Sequence, residues 1–182
     1  MKTVLMVQGS LRKESFNRQL MAAIQEALGS EVELKELSYE DLPLMNQDIE
    51  WPTPQPVQRV REEVKAADGL WVVSPQYNAS YPGHVKNLID WLSRPVAQGD
   101  STTVAKSKKV TFSGIAGRTA AAEMREKLGS LLSFVGMDVM SAMGEGFVVN
   151  GSAWSDNVVV LDDVQKASIK AQAEQFLRFI EA

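Results

Sequence analysis

Leu70, Trp71, Val72 and Val73 form an unbroken apolar run that follows Asp68-Gly69 and stops at Ser74-Pro75. A strand with one wet face alternates apolar and polar side chains. An unbroken run this short therefore belongs to a strand covered on both faces, as in a parallel sheet sheathed by helices. Pro75 disfavours helix at Ser74, and the chain continues through Gln76, Tyr77 and Asn78, which bring amide groups and a planar aromatic body to the turn. Pro82 then stands where the first turn of a helix tolerates proline, and Val85, Leu88, Ile89 and Leu92 recur at helical spacing. The segment reads as a strand whose carboxyl end empties into a turn suited to a flat, polar-edged ligand.

The same alternation runs through the chain. A first strand at 4–7 leads to a helical face of Phe16, Leu20, Ile24 and Leu28, closed by Gly29. Val32, Leu34 and Leu37 mark a second strand, and a polar, proline-rich passage at 42–56 leads into a helix bearing Val57, Val60 and Val64. The third strand and its helix are those described above. A loop at 93–107 precedes a fourth strand at 108–112, an alanine-rich helix at 120–135, a fifth strand at 137–140 and a terminal helix at 164–180. Five strands alternating with five helices predict a doubly wound α/β domain over residues 1–182, a parallel sheet with helices on both faces joined by right-handed crossovers. In such sheets ligands collect beyond the carboxyl ends of the strands, where strand order reverses.

Composition narrows the chemistry. A net charge of -4 with no lysine-rich run excludes a duplex-binding face, so no nucleic-acid partner is expected. The chain has no cysteine and a single histidine, His84, which removes thiolate nucleophiles, disulfides and His- or Cys-based metal centres. No apolar run approaches membrane-spanning length, and the amino terminus lacks a secretory hydrophobic region, so a cytoplasmic location is the default expectation.

After the first strand, Gln8-Gly9-Ser10-Leu11-Arg12-Lys13-Glu14-Ser15-Phe16-Asn17 leads into a helix. Free amide hydrogens at a helix start form an anion site, to which Ser10, Ser15 and Asn17 add side-chain donors and Arg12 a charge. The single glycine fails the dinucleotide fingerprint, and a monophosphate fits better than a pyrophosphate. Taken alone, these residues leave two readings open: a phosphate loop, or a helix capped by Ser15 beside a solvated Arg12. The fourth strand ends in Ser113-Gly114-Ile115-Ala116-Gly117-Arg118-Thr119, where glycines permit close backbone approach and Thr119 is a candidate cap for the next helix.

Together these three turns resemble the NAD(P)H-dependent FMN reductase family, the flavodoxin-like group that includes bacterial quinone, chromate and azo-compound reductases. Residues 9–17 look like its phosphate loop. Pro75-Gln76-Tyr77-Asn78, with Pro82-Gly83, Lys86-Asn87 and Ile89-Asp90-Trp91, looks like its flavin-ring loop, and 42–48 resembles its segment after the second strand. The resemblance implies strand order 2-1-3-4-5, FMN as cofactor and NADPH or NADH as co-substrate. By it Ser10, Arg12, Ser15, Phe16 and Asn17 surround the phosphate, Pro75, Gln76, Tyr77 and Asn78 line the ribityl chain and ring, and Ser113 and Gly114 close the opposite side.

Arg118 stands where the family carries a second glycine, facing solvent, a subunit contact or an incoming nicotinamide nucleotide. A reduced flavin carries hydride chemistry at its N5, so no catalytic acid, base or metal is expected of the protein. The resemblance further implies a ping-pong reaction with a small-molecule electron acceptor and a homodimer or homotetramer. A flavodoxin-like electron carrier and a non-catalytic flavin sensor are the alternatives. Outside these turns, His84 is expected to face solvent, Trp91 to serve the core or an interface, and Trp51 to form a lid over flavin or anchor a surface loop.

Overall fold

The computed structural model describes residues 1–182. Strand β1 (Lys2–Gln8) lies between β2 (Val32–Glu36) and β3 (Gly69–Val73), and β3 pairs with β4 (Lys109–Ala116), every ladder being parallel. The sheet runs β2-β1-β3-β4-β5, the order expected, with β5 at Asp138–Val139.

Successive residues of the central strands feed opposite cores, which is why their apolar runs are unbroken. Val4, Met6, Trp71 and Val73 meet α1 (Phe16–Leu28) and α6 (Asp163–Glu181) through Leu20, Ile24, Ile169 and Phe176. Leu5, Val7, Leu70 and Val72 meet α2 (Gln55–Ala66), α3 (Gly83–Leu92) and α4 (Ala122–Phe134) through Val60, Val64, Leu88, Ile89 and Leu128. Helix α1 starts at Ser15, whose Oγ accepts the Arg18 N–H at 3.0 Å, and stops at Gly29 with φ of 64°. A capping box between Asp162 and Gln165 opens α6. Each cap contributes about 1 kcal/mol, against about 1.5–3 kcal/mol for each large apolar side chain buried, so packing decides where these helices lie. No helix is long and apolar enough to cross a membrane.

The fifth strand departs from expectation. In place of one strand at 137–140 the chain forms β5, which pairs with Lys109 and Val110, and then β6 (Glu145–Val148), which pairs with Ser113 to Ala116. The eight-residue β4 is longer than the segment at 137–140, and the chain loops out after Met140 before rejoining the ladder. Glu145-Gly146 carries no strand signature, so only the waiting edge of β4 makes it one. A short helix, α5 (Ala153–Asp156), follows.

Helix α3 braces the carboxyl edge of the sheet. Asn87 accepts the Met45 N–H at 2.8 Å and donates to the Pro43 carbonyl at 2.9 Å; Trp91, fully buried, donates its Nε1–H to the same carbonyl at 2.8 Å. Trp91 thus belongs to the core and pins the proline-rich passage. His84 does not simply face solvent: its ring stacks on Tyr39 at 5.8 Å, and its Nε2 is buried without a partner. Tyr39 in turn donates its hydroxyl to the Gln8 carbonyl at 2.6 Å.

Two stability predictions arise here. Gly129 lies in α4 where the Ala142 carbonyl crosses, leaving no room for a Cβ. Gly129→Ala should therefore destabilise by about 1–3 kcal/mol in urea unfolding, although alanine favours a helix interior by about 1 kcal/mol; a neutral or stabilising result refutes the crowding. Burial holds the His84 pKa below its ordinary value of 6.5, with the Glu40 carboxylate and the Gly9 backbone acting the other way. The unfolded chain then takes up a proton at this residue before the native one does. Its contribution is complete above 6.5 and is lost as pH falls below that value. Urea midpoints at several pH values should fall more steeply on acidification in the wild type than in His84→Asn, and parallel curves would reject the assignment.

Candidate functional site

The carboxyl ends of β1 and β3 converge on a backbone contact. The Gly9 N–H donates to the Val73 carbonyl at 2.7 Å, and a Cβ on Gly9 would lie 2.8 Å from Ser74 Cα, so only glycine allows the approach. The loop at 10–15 and the turn at 75–80 consequently leave the sheet side by side. They border a cavity of about 340 Å³, whose third wall is Ile115, Ala116, Gly117 and Thr119 and whose outer lip is Trp154.

The side formed by residues 10–17 is a rim of donors. Ser10 is buried, with its N–H on Gln8 Oε1 at 3.1 Å and its Oγ accepting the Arg12 N–H at 3.4 Å. From Lys13 to Asn17 the backbone N–H groups donate to nothing in the protein, as expected for a helix start. Ser15 caps α1 through its lone pair and keeps its hydroxyl proton for another acceptor, so cap and phosphate donor are compatible roles. Arg12 supplies the charge: its guanidinium lies 5.3 Å from the centre of the Phe16 ring and is tied to the Glu14 carbonyl and to Asn157 Oδ1.

Asn157 also donates to the Glu14 carbonyl at 2.9 Å, and its own carbonyl accepts from Gln19 at 2.8 Å. This clasp holds the segment after β6 against the loop and brings Trp154 edge-on to Phe16 at 5.2 Å and 84°. Asn17 lines the cavity, but its amide is largely committed. It donates to the Ile115 carbonyl at 3.3 Å and accepts the Ile115 N–H at 3.2 Å, welding α1 to β4.

On the ring-loop side Pro75, Gln76 and Tyr77 line the cavity, and Tyr77 is half exposed. Tyr77 and Ser80 exchange backbone bonds around Asn78 and Ala79, both with positive φ, so Asn78 sits at an exposed tip outside the cavity wall. Gln76 accepts the Met124 N–H at 3.2 Å and so caps α4, whose N-cap residue is the unhelpful Ala121. Thr119 makes no capping bond. Ala120 and Ala121 are both left-handed, at φ of 49° and 55°, a conformation that costs about 1–2 kcal/mol per alanine and places strain next to the cavity.

Ser113 and Gly114 are not on the cavity wall. The Ser113 hydroxyl is turned into the sheet, accepting Trp71 Nε1–H at 3.0 Å and donating to Gln172 Oε1 at 2.8 Å; Gln172 passes the network to Thr111 and the Phe112 carbonyl. Gly114 makes room for the Ser74 carbonyl and Met124, both within 2.7 Å of where its Cβ would be. The two residues lie behind the wall and support it, and Ile115, Ala116, Gly117 and Thr119 form its surface. Arg118 is exposed, and Trp51 lies on a groove beside α2 rather than over this cavity. Sequence reasoning missed Trp154, which lies far along the chain in a short polar segment with no periodic signal.

A rim of amide, hydroxyl and guanidinium donors suits a phosphate, and an apolar floor between aromatic edges suits a flat ring. The residues therefore fit FMN. Comparison with known proteins agrees. A model of the NADPH-dependent FMN reductase family matches residues 1–174. A quinone reductase of Pseudomonas putida is 34% identical across 98% of this chain and 94% of its own. An NAD(P)H-dependent FMN reductase of Pseudomonas aeruginosa is 33% identical across 94% and 91%. Among solved structures FerB, a flavoenzyme NAD(P)H:(acceptor) oxidoreductase from Paracoccus denitrificans, superposes with a TM-score of 0.86 at 31% identity over 100% of this chain and 98% of that one. The chain belongs to the NADPH-dependent FMN reductase family, oxidoreductases that use FMN with NAD(P)H as electron donor.

Proposed function

We propose that the whole chain acts as one FMN-binding domain that carries two electrons from a nicotinamide nucleotide to a small acceptor in alternating half-reactions. The acceptors are of the quinone, azo, chromate or free-flavin type. The observation that carries this reading is the convergence of an anion-binding rim and an aromatic-edged cavity at one switch point of the sheet. Bound FMN supplies hydride acceptance and donation. The protein supplies position: Ser10, Ser15, Arg12 and the free N–H groups of residues 13–17 hold the phosphate, while Phe16, Pro75, Gln76 and Tyr77 border the ring. The half-exposed Tyr77 leaves one side of the cavity open, which supports two substrates using the same face in turn.

Subunit association is part of the proposal. Phe134 is 88% exposed beside Tyr81 and Leu131, an apolar patch that supports a homodimer or homotetramer. A purely monomeric mass in solution at full activity refutes that part.

Two experiments test the site and the reaction. The double variant Arg12→Ala, Ser15→Ala removes a charge-assisted bond worth about 1.5–3 kcal/mol, so FMN titrated by fluorescence quenching should bind at least tenfold more weakly; unchanged affinity counts against the phosphate role. Anaerobic NADPH or NADH should bleach the FMN-loaded protein, and an added quinone should restore its colour. A flavin that binds but stays oxidised favours an electron carrier instead.

A further inference from the structure

A second cavity lies along the flank of α2, between that helix and the chain at 96–108, and shares no lining residue with the flavin site. Its volume is about 770 Å³. Arg61, on its wall, is 94% buried, being 6% exposed. Nε and Nη2 of Arg61 donate to the Trp91 carbonyl at 3.3 and 3.1 Å, but Nη1 donates to nothing in the protein and reaches accessible space in the groove. Glu50, the carboxylate that acts on this guanidinium, is itself spent on Arg94 through two bonds of 2.9 Å. A largely buried cation whose only hydrogen-bonded protein partner is a neutral carbonyl is costly even with Glu50 acting through space, and burial lowers its pKa. An anion arriving in the groove would relieve that cost.

The rest of the groove has the same character. Lys65 follows Arg61 one turn on along the same face of α2, and Lys106 and Lys108 come from the opposite wall; none of the three forms an ion pair. Lys108 is anchored by the Ala67 carbonyl at 2.5 Å, which fixes its place at the helix end. Glu62 is the one carboxylate on the lining, and it accepts from Gln58 at 3.0 Å. Four cations against one carboxylate run counter to a chain of net charge -4. Trp51, an aromatic side chain, lines the groove beyond the amino end of α2, away from the Lys65 end of the helix.

We propose that this groove is a second ligand site, for a nucleotide-like compound whose phosphates lie among Arg61, Lys65, Lys106 and Lys108 and whose ring rests on Trp51. Its lining is separate from the flavin cavity, so the ligand is an effector and not a reactant.

Calorimetric titration of FMN-saturated protein with ADP, and separately with inorganic pyrophosphate, tests this. Both should saturate at one per chain, ADP the tighter by about tenfold for its ring contact. Lys65 and Lys106 are exposed and their ammonium groups make no bond in the protein, so the double variant Lys65→Glu, Lys106→Glu keeps the fold. It should weaken both ligands at least tenfold while FMN absorbance is unchanged. Trp51→Ala should remove the advantage of ADP and leave pyrophosphate as before. Absence of saturable binding to the wild type, or ADP affinity that survives the charge reversal, overturns the proposal. Because flavin loading is read separately from the yellow absorbance, a protein that stays colourless with added FMN would refute the functional reading, and the same titration of the flavin-free protein would still decide the groove.

Discussion

The contact between Gly9 and Ser74 is what the site depends on. Parallel pairing brings the carboxyl ends of β1 and β3 to the same level, and the absence of a side chain at Gly9 lets the two exits touch. Any larger residue would push the loop at 10–15 from the turn at 75–80 and separate the donors of residues 10–17 from Pro75, Gln76 and Tyr77. The anion rim and the ring wall are one cavity because two backbones meet without a Cβ between them.

A second tier of contacts keeps that junction in shape. Ser113 spends its hydroxyl on Trp71 and Gln172, binding β4 to β3 and to α6, and Asn17 binds α1 to β4 at Ile115. Gln76 leaves the ring loop to cap α4, while Asn87 and Trp91 hold Pro43. Residues of the type expected at a ligand are thus partly consumed in building the walls. This suits a chain without cysteine, because buried polar groups that satisfy one another rigidify the cavity at little net cost.

Much of this was legible beforehand. Continuous runs at 4–7 and 70–73 announced buried parallel strands, the period of Phe16, Leu20, Ile24 and Leu28 announced α1, and Ser15 with Gly29 bounded it. The clustering of Ser10, Arg12, Ser15 and Phe16 with Pro75, Gln76 and Tyr77 followed from the resemblance, which implied the strand order, and from the rule that turns meet where that order reverses. The misreadings share a cause. The fifth strand was placed by hydrophobicity, but an edge strand needs only a partner ladder, and β4 was long enough to recruit Glu145–Val148 as well. The resemblance put Ser113 beside the ligand, and strand pleating, which turns alternate side chains to opposite faces, directs its hydroxyl to Gln172. His84 was read from its place in a helix, without the Tyr39 ring that crosses above it.

Local sequence by itself determined most of the elements, their succession along the chain and the chemistry of each turn, because periodicity, caps and proline act over a few residues. Only the tertiary structure decided which side chains face the cavity, which are consumed in its walls, and that Trp154 joins the site. It also gathered Arg61, Lys65, Lys106 and Lys108 around one groove. Those outcomes depend on contacts between segments tens of residues apart, such as Asn17 with Ile115 and Ser113 with Gln172, and burial favours them because most enclosed polar groups need a partner.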